Sequence, residues 1–92
     1  MKIKQDFVVK TIGEDIVVVP IKDEAVRFNG IISLNSTGKF LFELLQKHDL
    51  NEEDLLTHLL EVYDVSETKA QLDIKAFVDK CRQNGLIDEK SI

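Results

Sequence analysis

Apolar positions cluster in short β-branched runs over the first third of the chain and then change to helical spacing. Phe7, Val8, Val9 and Ile12 make one run, and Ile16, Val17, Val18 and Val19 a second. Both have strand length and strand composition. Gly13-Glu14-Asp15 between them is a tight connection in which Gly13 can take a positive φ, so the two runs predict a β-hairpin. Pro20 cannot donate a ladder bond and belongs at a strand end or edge. Lys22-Asp23-Glu24 reads as a charged loop. Ala25–Leu34 reads as a third extended segment, interrupted by the turn signal Asn29-Gly30. Residues 1–5 read as a polar, frayed start.

Beyond Leu34 the period becomes helical. Asn35, Ser36 and Thr37 are all residues that cap a helix by accepting orphan backbone N–H bonds. Leu41, Leu44, Leu45 and His48 then recur at helical spacing, giving a first long helix of about Ser36–Lys47. Gly38 in its first turn permits close packing against the sheet. A second helix starts after Asn51, with Glu52, Glu53 and Asp54 at its positive end. Its apolar face is Leu55, Leu56, Leu59, Leu60 and Tyr63. A third helix follows Ser66 and runs to about Asn84, with Gly85 ending it. Ala70, Ile74, Phe77, Val78 and Cys81 make its core stripe, and Leu72 points almost opposite. The order is β-β-β-α-α-α. The predicted fold is α+β and winged helix-turn-helix-like: a three-stranded antiparallel sheet followed by three helices, as a single domain over residues 1–92 with its core at about 6–88.

Composition narrows the function. With 92 residues the chain makes one domain. No apolar run approaches the roughly 20 residues of a membrane span, and no signal-peptide core follows Met1. The single cysteine, Cys81, excludes an internal disulfide and fits a reducing cytoplasm. It falls in a core stripe, where a buried inert thiol is expected. One cysteine with His48 and His58 does not build a metal site. No phosphate-binding loop, dinucleotide glycine pattern, nucleophile elbow or H-E-x-x-H is present. The chain is therefore read as no enzyme, with no catalytic residue, metal or cofactor. The net charge of −5 disfavours nucleic acid, whose binding rests on phosphate contacts.

Several ordered matches bring in a family. Leu34-Asn35-Ser36-Thr37-Gly38, then Leu41-Phe42 and Leu44-Leu45, resembles the strand-to-helix junction of PqqD-like proteins. Glu53-Asp54-Leu55, Leu59-Leu60 and Tyr63-Asp64-Val65 are similar to the family's second helix and its exit. Ile74, Phe77, Val78 and Gly85-Leu86-Ile87 resemble its third helix and ending. Phe7-Val8 and Asp15-Ile16-Val17-Val18 fit its hairpin. Phe42 stands where many members carry Trp. The resemblance spans about residues 6–88. It implies the recognition element of pathways that make ribosomally synthesised, post-translationally modified peptides (RiPPs). Such an element is a non-catalytic adaptor, or peptide chaperone. It captures the leader segment of a precursor peptide and presents it to a modifying enzyme, often of the radical S-adenosylmethionine (radical SAM) type. The best-known member serves pyrroloquinoline quinone biosynthesis; the residues here do not select a pathway.

The mode that the resemblance implies is β-strand addition. The expected receiving edge is Gly30, Ile31, Ile32, Ser33 and Leu34, with the third helix as the other wall. Ile31 and Ser33 point to one face of that strand and Ile32 and Leu34 to the other, and the sequence leaves open which pair joins the core. Across the groove the expected peptide-binding residues are Lys69, Leu72, Asp73 and Ala76. Leu72 would take an apolar leader side chain, against the bland reading of an isolated exposed leucine. Ala76 would allow close approach. Lys69 and Asp73 either pair with each other at i,i+4 or read peptide charges. The expected partners are a precursor leader peptide and a radical SAM or other maturation enzyme. No nucleic acid and no membrane are expected, and the chain is expected to be a monomer or weak dimer in the cytoplasm. The rival reading is a DNA-binding winged-helix regulator. It would need a basic third helix, whereas Lys69, Lys75, Lys80 and Arg82 alternate there with Glu67, Asp73 and Asp79. A purely structural subunit that stabilises a larger enzyme through its sheet edge is a third reading.

Overall fold

Strands and helices follow one another as β1 (Lys2–Ile3), β2 (Phe7–Ile12), β3 (Asp15–Pro20), α1 (Asp23–Arg27), β4 (Ile32–Leu34), α2 (Ser36–Lys47), α3 (Glu52–Val62), α4 (Glu67–Gln83) and β5 (Ile87–Asp88) in a computed structural model that describes residues 1–27 and 31–88. β2 and β3 form the expected hairpin, closed by the pair Ile12 and Asp15. Gly13, at φ 63°, is the first of the two turn residues, the place where a hairpin of type II′ needs a left-handed residue. β4 adds antiparallel to β3, so the sheet order is β2-β3-β4 and β4 is an edge.

Each long helix starts where its cap residue dictates. Asn35 accepts the Gly38 N–H at 2.7 Å and opens α2. Asn51 and Asp54 form a reciprocal capping box on α3. Ser66 Oγ accepts the Lys69 N–H at the start of α4. Gly85, at φ 70°, lets the chain leave α4, and the Leu86 N–H returns to the Cys81 carbonyl. Phe7, Val18 and Ile32 from the sheet meet Leu41, Phe42 and Leu45 of α2, Leu55 and Leu59 of α3, and Ala70, Ile74, Phe77, Val78 and Cys81 of α4 in one core.

Two expectations are corrected. Residues 1–5 are not a frayed start: Lys2–Ile3 pairs with Ile87–Asp88, and Ile3 is only 2% exposed. The alternation Lys2-Ile3-Lys4 suits a short strand with one side inward. Ala25–Leu34 is not one extended segment either. Asp23–Arg27 is helical, with Asp23 and Glu24 in its first turn, where the helix dipole favours carboxylates. The strand is cut back to Ile32–Leu34, and the turn signal Asn29-Gly30 lies outside the described residues.

Candidate functional site

The edge strand β4 has a definite hydrogen-bonding polarity. In an antiparallel ladder, pairs that exchange both backbone bonds alternate with pairs that exchange none. The two-residue turn makes Ile12 and Asp15 a bonded pair. Counting along the hairpin, Lys10 and Val17 bond, so Val17 turns its N–H and C=O toward β2. Ile16 and Val18 therefore turn theirs toward β4, where they face Leu34 and Ile32. Ser33, opposite Val17, is left with both backbone groups directed outward. The carbonyl confirms this count, because it accepts a hydrogen bond from Lys80 Nζ on α4 at 2.6 Å.

Side chains on β4 divide by face. Ile32 is 5% exposed and Leu34 packs against the core. Ile31 and Ser33 are exposed, so the pair that joins the core is Ile32 and Leu34. Between β4 and α4 lies a cavity of about 160 Å³ lined by Ser33, Leu34, Thr37, Asp73, Ala76 and Lys80, with Phe77 and the Asn35–Gly38 turn closing it. Gly38 is what lets α2 start this close to the strand. A Cβ there would lie 3.3 Å from Leu34 Cβ and 3.2 Å from Asn35 Oδ1.

Four of the expected site residues thus meet at one cavity: Ser33, Leu34, Asp73 and Ala76. Lys69 and Leu72 do not line it. Both lie on the same third of the helix surface as Ala76, Leu72 one turn and Lys69 two turns toward the N-terminus. Leu72 is 64% exposed. Lys69 Nζ lies 3.3 Å from Asp73 Oδ2, so the i,i+4 pair allowed by the spacing is formed. Gly30 lies outside the described residues. Asn35, Thr37, Gly38, Phe77 and Lys80 line the cavity without having been singled out as site residues. Helical phase carried a signal for Lys80, which stands one turn beyond Ala76 on the same stripe.

The other sheet edge is different. On β2 the outward carbonyl of Phe7 is held by Gln46 Nε2 of α2 at 3.1 Å. A larger open depression of about 970 Å³ lies at the β1–β5 end and shares no lining residue with the β4 groove. No helix among the described residues is long and apolar enough to cross a membrane.

Cys81 sits in the core behind this wall. Burial pushes its thiol from the ordinary 9.0 up to about 12, against a weaker opposing pull from the Lys80 ammonium. A thiol-specific disulfide reagent at pH 8 is expected to leave the folded protein untouched and to label it fully in urea. The same shift makes stability fall with alkali. Below the ordinary thiol value both states are protonated. Above it the unfolded chain ionises first, and the loss accumulates until the folded thiol titrates at about 12. Urea midpoints at pH 8 and 10.5, compared with Cys81→Ala, measure it: the variant should lose less than the wild type between the two.

Over residues 15–87 the chain matches the family model described as coenzyme PQQ synthesis protein D (PqqD). Two solved structures share its fold. "TbiB1 in Complex with the TbiA(beta) Leader Peptide" superposes with a TM-score of 0.72 at 17% identity, covering 100% of both chains. "Lasso peptide synthetase B1 complexed with the leader peptide" superposes with a TM-score of 0.68 at 22% identity, covering 92% of this chain and 93% of that one. No curated protein matches the chain. The family match begins at β3, takes in the edge strand and all three long helices, and ends in β5, so the chain belongs to the PqqD family.

Proposed function

We propose that this chain is a non-catalytic adaptor that captures the leader segment of a ribosomally made precursor peptide by strand addition to β4 and presents it to a modifying enzyme. One observation carries the reading: among the described residues β4 is a sheet edge, with the Ser33 N–H and C=O directed away from β3, and α4 stands beside it as a second wall. An extended peptide satisfies such an edge with its own backbone, whatever its sequence, and side-chain pockets then select. Both similar solved structures are titled as complexes with leader peptides, which supports the same class of partner here. The enzyme served is of the radical SAM type in this reading, as the family resemblance implies. The chain acts in the cytoplasm as a monomer or weak dimer, without metal or cofactor.

The peptide runs along Ile31–Leu34, pairing its backbone with Ile31 and Ser33, while Leu72, Ala76 and the Lys69–Asp73 pair form the opposite wall. DNA binding gains no support from this helix. Lys69 is tied to Asp73 and Lys80 to the Ser33 carbonyl, leaving no continuous row of cations for phosphates.

An amide chemical-shift titration with the leader half of the precursor peptide encoded beside this gene tests the reading. The largest changes should fall on Ile31, Ser33 and the Lys69–Lys80 face of α4. Changes confined to β2 or to the β1–β5 end would overturn it. Within the same reading, Leu72→Asp should weaken leader binding by roughly tenfold, about 1.4 kcal/mol, and leave the circular dichroism spectrum and melt unchanged. Unchanged affinity by calorimetry would remove Leu72 from the site.

A further inference from the structure

We propose that Lys80 is a displaceable cap on the β4 edge. In the free chain its ammonium occupies the Ser33 carbonyl, and a strand can add there only by evicting it. The inference deepens the adaptor reading and rests on it for the identity of the incoming strand. The observations behind the cap itself are independent of any peptide.

Ser33 lies in the centre of a three-residue strand and directs both backbone groups away from β3. An unpaired edge of this kind is a template for any extended chain, including a second copy of the same strand. The exposed, uncharged Ile31 and Ser33 side chains offer nothing to discourage such pairing. Lysine is a residue that sheet edges use for protection, and here it acts through a direct bond and not by charge alone. Its Nζ lies 2.6 Å from the Ser33 oxygen, and the ionised donor makes this a charge-assisted hydrogen bond.

The anchor of this side chain favours a cap over an incidental contact. Lys80 rises from the last turns of α4, where Val78, two residues before it, and Cys81, next to it, are fully buried, so its Cα is held by the core. Ala76, one turn earlier, leaves the groove open beneath the lysine stem. Yet the ammonium end is exposed, and a long flexible side chain leaves such a bond without disturbing the fold. An incoming backbone N–H would take its place on the same oxygen, while the Ser33 N–H, to which a lysine has nothing to offer, donates to the partner's carbonyl. The cap thus closes half of the recognition pair and leaves the other half free.

Three measurements on the full chain test this. The Ser33 carbonyl carbon shift should differ between wild type and Lys80→Met in the free protein, and Lys80→Arg, which keeps a donor, should stay near the wild type. Sedimentation over a range of concentrations should give Lys80→Met a self-association constant about tenfold higher than wild type, with Lys80→Arg unchanged. On saturation with the synthetic leader half of the precursor encoded beside this gene, the Ser33 carbonyl shifts of wild type and Lys80→Met should converge, because the ammonium is no longer on that oxygen. Identical Ser33 shifts in the free proteins, or equal self-association, would overturn the cap. So would a difference that persists in the bound state. If the leader binds to none of the three proteins, the adaptor reading fails while the first two measurements still decide the cap.

Discussion

Replacing Ser33 by proline should abolish most leader binding and barely change the melting curve. The two outcomes separate because Ser33 directs its backbone away from β3. Its N–H takes no part in the ladder that holds β4 to the sheet, so the ring costs no internal hydrogen bond. The preceding residue, Ile32, already lies in a strand, the region that a following proline requires. The carbonyl, with its Lys80 contact, is retained. A leader strand fares differently. It loses the donor that its own carbonyl needs, and leaving a desolvated carbonyl unpaired costs about 1–3 kcal/mol. The ring also stands in the path of the approaching backbone. Affinity should fall by roughly tenfold to a hundredfold, read by calorimetry. Val17→Pro is the matching control. Val17 sits opposite Ser33 but turns its N–H to Lys10 inside the sheet. There the same ring removes a ladder bond from a central strand, and the protein should unfold. Tight binding by Ser33→Pro would show that the leader does not use this edge.

The contrast between these two neighbours shows where the sequence was readable. The hairpin and its turn follow from Gly13 and the two β-branched runs, and the starts of α2, α3 and α4 follow from Asn35, Asn51 and Ser66, because caps and strand periods are local chemistry. The stripe of Ala70, Ile74, Phe77, Val78 and Cys81 was legible for the same reason, and all five are buried. Short elements were harder. α1 spans five residues, too few for a periodic face to stand out, and its acidic start resembles any charged loop. β1 is held by β5 from the other end of the chain, a pairing that no local signal encodes. The edge itself was legible as a candidate through the family resemblance, which implies strand addition. The face of β4 that turns inward was not, since Ile31 and Ile32 are equally apolar and only packing into the core decides between them. Lys80 is the extreme case. Its bond crosses 47 positions, and in the sequence it is one of several lysines on a mixed helix. The family resemblance indicated the groove, and the register indicated which atoms face it.

Phe77→Ala should cost the fold about 3–5 kcal/mol, the usual range for truncating a buried phenylalanine. Phe77, on α4, is 5% exposed and belongs to the hydrophobic core. Domains of this kind hold roughly 0.05–0.15 kcal/mol per residue, so the loss is a large share of the total. At about 4–8 °C per kcal/mol for a chain this short, the melting temperature should drop by at least ~12 °C. Urea denaturation should show the midpoint falling with the slope unchanged, the sign that stability and not the denatured state has moved. The position has a second consequence, because Phe77 also closes the groove beneath Ser33 and Ala76. A cavity there would loosen the wall against which a leader lies, so binding should weaken together with stability. Phe77→Leu separates the two: it refills most of the volume, should recover most of the midpoint, and should restore leader affinity in proportion. If Phe77→Ala melted like the wild type, α4 would not be packed through this stripe, and the helix face assigned to the peptide would have to be rotated with it.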